Sequence, residues 1–161
     1  MTRTTKGRSR LLTLGNMTLH PIRYNTAQNP PPAAPDVVQY FHKTDHRDRT
    51  PGKAQWRIGL SEERNIFQAA MASQWIEKKF AWSLYQLAGS VAHLGVDRDH
   101  ITQVFVARFD EHANDEWHGY PCNYKKPQQR PPTDVLNDWL EKKLLPPAKI
   151  RKIASGQRCA I

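Results

Sequence analysis

The chain has 161 residues, 39% of them hydrophobic, with 12 prolines and a formal net charge of +9. That length suits one domain, whose core can bury roughly 70% of the surface exposed on unfolding. No apolar run approaches the ~20 residues of a membrane-spanning helix, and Leu11, Leu12 and Leu14 are too few for a secretory signal, so a soluble, cytoplasmic protein with no membrane partner is expected.

Residues 1–35 hold five bases and no acid. They open with Lys6-Gly7-Arg8-Ser9-Arg10 and end in Asn29-Pro30-Pro31-Pro32 and Pro35, which reads as a basic, Pro-rich arm with a semi-rigid spacer. The apolar patch Leu11 to Leu19 is long enough to add as a strand, and the acid-free composition also fits an organelle transit peptide. Asp36 can cap a short helix to Asp48, with Val37, Val38 and Phe41 on one side. Thr50-Pro51-Gly52 breaks the chain, and Trp56, Ile58 and Leu60 alternate as in a short strand.

Ser61 to about Ala88 carries the strongest helical periodicity. Ile66 and Phe67, Ala70 and Met71, and then Trp75 recur at three- and four-residue steps, with Ser61 as cap and Gly89 as stop. Lys78-Lys79 interrupts the stripe, so two helices serve as well as one, and Phe80, Trp82 and Leu84 also alternate as a strand would. Helix is the preferred reading. Gly95 to Asp99 reads as a loop, and Ile101 to Phe109 as a buried strand. From Asp110 to Pro132 the polar residues, Gly119 and four prolines argue against regular structure. Thr133 then caps a helix with Val135, Leu136, Trp139 and Leu140 on one face. Leu144-Leu145-Pro146 turns the chain, and Ile150 and Ile153 face inward from a second helix ended by Gly156. The expected fold is α+β and mostly helical: short strands on a long or broken central helix, closed by a helical hairpin over residues 133–156, in a single domain of residues 36–161.

Two cysteines, Cys122 and Cys159, make no disulfide framework and are expected as free thiols. Charge is uneven. Residues 36–122 hold ten bases and twelve acids, whereas residues 123–161 hold nine bases and three acids. Basic ends around a slightly acidic body suit a polyanion such as DNA or RNA. Lys125, Lys126 and Arg130, interleaved with Tyr120 and Tyr124, have the aromatic-plus-basic make-up of a single-strand-binding loop, and Lys149, Arg151 and Lys152 fit phosphate contacts from the second hairpin helix.

The densest polar cluster runs from Asp110 to Cys122. His112, Asp115 and His118 are its candidate catalytic residues, and His112, His118 and Cys122 its candidate ligands for a divalent metal, although no established ligand spacing is matched. His42 and His46 would share a helical face, also suited to a metal, if their segment were helical. Three functions follow as expectations: a nucleic-acid-binding protein using its basic ends, a small metal-assisted nuclease or other hydrolase using His112, Asp115 and His118, joined by His42 and His46 if the two clusters meet in space, and a protein–protein interaction module.

Overall fold

The structure, a computed structural model, describes residues 38–161. The basic arm of residues 1–35, the strand expected at Leu11 to Leu19 and the Asp36 cap lie outside the described residues. In chain order the elements are β1 (Gln39–Tyr40), β2 (Gln55–Trp56), α1 (Leu60–Ala72), β3 (Ile76–Glu77), β4 (Phe80–Leu84), β5 (Gln86–Leu87), β6 (Ser90–Val91), β7 (Gly95–Val96), β8 (Gln103–Val104), β9 (Val106–Glu111), β10 (Glu116–Cys122), α2 (Thr133–Glu141) and α3 (Pro147–Ala154). Single turns of 3-10 helix occupy Thr44–His46, Ala113–Asp115 and Pro127–Gln129.

The organising element is a five-stranded sheet in the order β1-β10-β9-β4-β3, antiparallel except for the short parallel β1–β10 pair. A second sheet pairs β2-β7-β8, and β5 and β6 form a separate ribbon. The expectation of a mostly helical protein is therefore wrong. The fold is α+β, with three helices among the described residues and strands supplying its frame.

The stretch expected as helix to Ala88 accounts for much of the difference. α1 stops at Ala72; Gln74 takes a left-handed φ of 56°, and Lys78 repeats this in the two-residue turn between β3 and β4. The alternation of Phe80, Trp82 and Leu84 wins over helical spacing because β4 is an inner strand, paired on both sides. The predicted helix at residues 36–48 likewise gives way to β1 and one 3-10 turn. Only Gln55 and Trp56 of the expected strand to Leu60 are extended, because Leu60 opens α1.

Residues 116–122, expected to be irregular, form the longest strand. Pro121 fits because of where its backbone points. The carbonyls of Trp117 and Gly119 accept hydrogen bonds from the Phe41 N–H and the Trp56 indole, on the side of β10 away from β9. Backbone groups two residues apart point the same way along a strand, so the missing N–H of Pro121 also falls away from β9 and costs that ladder nothing.

One face of the large sheet carries Ala81, Phe109 and Trp117 and packs on α1 through Phe67, whose ring lies 5.2 Å from Phe109 and 5.9 Å from Trp117. The opposite face carries Trp82, Arg108 and Cys122. It is covered by the 127–130 turn, where the Gln129 carbonyl accepts from the Trp82 indole at 3.0 Å. Beyond that turn α2 and α3 pair as a hairpin, with Val135, Leu136, Trp139, Ile150 and Ile153 buried. Trp139 is fully buried and meets Trp75 edge to face at 5.9 Å. An aromatic of this kind removes roughly 150–250 Å² from water, worth about 4–6 kcal/mol before entropy is counted.

Candidate active site

Strand alternation builds the site. On β10, Trp117, Gly119 and Pro121 face α1, so His118 and Tyr120 face the opposite side. Register sets His118 opposite Asp110 and Tyr120 opposite Arg108 on β9, which gathers four polar side chains on one patch of sheet. Arg108 is held firmly. Its Nε donates to Asp110 Oδ1 at 2.7 Å, its Nη1 donates to the Gln128 carbonyl, and its guanidinium lies 4.0 Å over the Phe80 ring. The Tyr120 hydroxyl approaches the Asp110 oxygens at 3.4 and 3.5 Å. Burial first, and then the Asp110 charge, raise the Tyr120 phenol pKa above its ordinary range, so it stays protonated.

The loop after β1 brings in a second imidazole. The 3-10 turn Thr44–His46 stacks the His46 ring on Tyr120, centroids 5.5 Å apart. His46 Nδ1 lies 2.8 Å from the Ala54 carbonyl, which can only accept, so this nitrogen carries a hydrogen and Nε2 is left to exchange a proton. Asp45 Oδ1 lies 3.9 Å from Nε2, and Lys53 Nζ lies 3.5 Å from the other Asp45 oxygen.

Between the two histidines opens a cavity of about 210 Å³, lined by His46, His118, Tyr120, Lys43, Lys53 and Arg98 among others. His118 Nδ1 is buried and has no hydrogen-bond partner among the described residues. Buried polar groups are nearly always satisfied, so this nitrogen is left to a water or to a bound group. Desolvation first, then the Lys43, His112 and His46 charges, push the His118 pKa down to about 4, leaving its imidazole neutral near pH 7. Asp97, also at the cavity, is ionised. Burial opposes this, but hydrogen bonds from Asn123 and Lys126 outweigh it and hold its carboxyl below the usual range. A larger hollow of about 530 Å³ lies between β8, Tyr124 and the C-terminal residues, with His93 as its single imidazole.

The residues expected from sequence are only partly brought together. His112 and His118 stack, centroids 4.5 Å apart and planes 10° from parallel. Asp115 is exposed in the turn between β9 and β10, and among the described residues no hydrogen bond or ion pair joins it to either histidine. Cys122 is four residues along β10 from His118, about 13 Å at strand rise, too far to share one ion. Its thiol is fully buried against the Gln129 carbonyl. His42 turns away from His46 toward Glu63, whose Oε1 lies 3.3 Å from its Nδ1 without a hydrogen bond. Among the described residues no three His, Cys, Asp or Glu side chains converge where they could hold a metal ion.

The basic residues divide by use. Arg130 is spent on structure, donating to the carbonyls of Tyr124, Ala154 and Lys125. Lys126 pairs with Asp97 at 3.1 Å, beside the cavity. Lys125, Arg151 and Lys152 are exposed and Lys149 is half-buried. Because Arg130 bonds both Lys125 and the end of α3, the 123–130 segment links the cavity wall to the basic hairpin. Sequence reasoning named both clusters as possible parts of one site but could not establish that His46 meets His118, and it missed the parts of Lys53 and Arg98. The signal for the β-strand residues lay in the alternation of Arg108 with Asp110 and of His118 with Tyr120, legible only once β10 is extended.

No family model matches the chain, nor does any curated protein or solved structure.

Proposed function

We propose that this protein binds nucleic acid and cleaves its phosphodiester backbone, with His46 and His118 as proton-transferring groups. The observation that supports this most directly is the buried, neutral, unpartnered His118 imidazole sharing a cavity with His46 and with the cations of Lys43, Lys53 and Arg98. Two imidazoles across a cavity provide a base and an acid, and cations at its rim receive a phosphate and the charge that grows on it in the transition state. Asp97 and Asp110 at the cavity are matched by Lys126 and Arg108, and Lys53 faces Asp45 at 3.5 Å, which leaves Lys43 and Arg98 without an ion-pair partner among the described residues.

Lys125, Arg151 and Lys152 add sequence-independent backbone contacts that would carry the strand past the cavity. The free Cys122 and Cys159 agree with a reducing cytoplasmic setting.

The test is cleavage of end-labelled single-stranded RNA and DNA, with and without a chelator. Wild-type protein cleaves, and His46→Ala and His118→Ala each lose about 10²–10⁴-fold in rate with unchanged circular dichroism. Cleavage that survives both substitutions, or its absence from wild type on every nucleic acid tried, rejects the proposal.

A further inference from the structure

Resting on that reading, we infer that the substrate is RNA and that the nucleophile is the ribose 2′-hydroxyl, supplied by the substrate itself.

Direct hydrolysis needs an activated water, made by a metal ion, a free carboxylate or an imidazole. The cavity offers no convergent metal ligands and no free carboxylate for it. No set of three metal-ligating side chains converges among the described residues, and the carboxylates at the cavity are engaged, Asp110 with Arg108, Asp97 with Asn123 and Lys126. Asp45, next to His46 in the chain, faces Lys53 and the His46 ring. What the site does offer is two imidazoles on separate elements and a cluster of cations. That inventory suits a reaction whose nucleophile already sits next to the phosphorus.

The roles follow from the surroundings of each ring. His118 is neutral and has a nitrogen without a partner, so it can accept a proton. Burial is the main cause that holds its proton affinity down, and Lys43, His112 and His46 add charges that a bound phosphate would offset. His46 has one nitrogen tied to the Ala54 carbonyl and the other beside the Asp45 carboxylate, which is a counter-charge for an imidazolium. The 2′-hydroxyl gives its proton to His118 as its oxygen bonds to phosphorus. The P–O5′ bond breaks, and the departing O5′ takes the proton from His46 Nε2. The products are a 2′,3′-cyclic phosphate and a 5′-hydroxyl end, with His118 left charged and His46 neutral. Water and the reverse proton transfers then open the cyclic ester and restore both rings.

The test uses the full chain and an all-deoxy oligonucleotide carrying one ribonucleotide. Cleavage is expected only on the 3′ side of that ribonucleotide, leaving a cyclic phosphate, with the all-deoxy control slower by at least about 10³-fold. A nucleoside 3′-(4-nitrophenyl phosphate), whose leaving group needs no acid, should largely rescue His46→Ala but not His118→Ala. Equal cleavage of the all-deoxy control overturns this inference and leaves the phosphodiester-cleaving reading standing. No cleavage of either oligonucleotide overturns both. Rescue of His118→Ala in place of His46→Ala reverses the two roles and overturns their assignment.

Discussion

His46 lies nearly face to face on Tyr120, with ring centroids 5.5 Å and planes 21° apart. A loop residue is thereby registered to a sheet strand, and the imidazole is placed by packing as well as by its bond to Ala54. The ring of Tyr120 should matter more than its hydroxyl, whose approach to Asp110 at 3.4–3.5 Å is too long for a strong hydrogen bond. Tyr120→Phe is expected to keep cleavage close to wild type. Tyr120→Ala removes the platform, and a misplacement of about 1 Å in a catalytic group costs on the order of 10²-fold in rate. Parallel cleavage rates and melting curves for both variants check this.

Acid should weaken the fold through His118. Its pKa in the folded protein, about 4, is below the ordinary 6.5, so between those values the unfolded chain binds more protons than the folded one. Its neutral form thus contributes stability that is complete above about pH 6.5, is lost as pH falls toward 4, and changes no further below that. Lys43, His112 and His46 reinforce the shift and Asp45 opposes it. Urea unfolding at pH 7, 5.5 and 4 should show the wild type losing more stability than His118→Gln over this window. Inorganic phosphate should narrow the gap, and proton NMR should show the His118 titration moving upward when it binds.

The helical hairpin was legible because its signals are local: apolar residues at helical spacing, a proline at the start of α3 and Gly156 just past its end, at φ +70°. The sheet was harder to read. Phe80–Leu84 satisfies both helical and strand spacing over so few residues, and the deciding fact, that β9 pairs beside it, lies in residues more than twenty positions away. Gly119 and Pro121 look like strand breakers, yet each has a reason to be where it is. A side chain at Gly119 would lie 2.5 Å from the Phe109 ring, and Pro121 points its nitrogen away from β9. Missing β10 concealed the site, since His118 and Tyr120 share a face only in an extended chain. His46 was visible as part of a polar cluster, but no local pattern ties it to a strand so distant in sequence.

The two thiols should react very differently. Cys122 is fully buried, and burial pushes its pKa up, so it offers neither access nor thiolate. Cys159 is half-buried, with its sulfur 3.4 Å from the Tyr124 hydroxyl. A disulfide-exchange reagent at pH 8 should titrate one thiol in the native protein and two after denaturation. Cys159→Ser should abolish the native reaction, and Cys122→Ser should leave it intact.

Glu63 ties the loop that carries His46 to α1. Its side chain is fully buried and accepts from the Tyr40 hydroxyl and the Arg47 guanidinium. Arg47 in turn donates to the carbonyls of Ile58 and Gly59, at the entry to α1. Burial first, and then the neighbouring carboxylate, keep the Tyr40 phenol protonated far above its ordinary range, so the hydroxyl remains a donor. Removing one member of a buried pair strands the other. Glu63→Leu should cost about 3 kcal/mol in urea unfolding at pH 7, at the low end of ~3–5 kcal/mol because the Arg47 side chain retains some contact with water. Glu63→Gln keeps an acceptor for Tyr40 and should cost less. Arg47→Met combined with Glu63→Leu should recover part of the loss, since no unpaired charge is left behind. A double variant as unstable as the sum of its two single changes would mean that carboxylate and guanidinium act independently, and that the loop is held to α1 by the stack of Tyr40 on Phe67, 4.5 Å between centroids, instead.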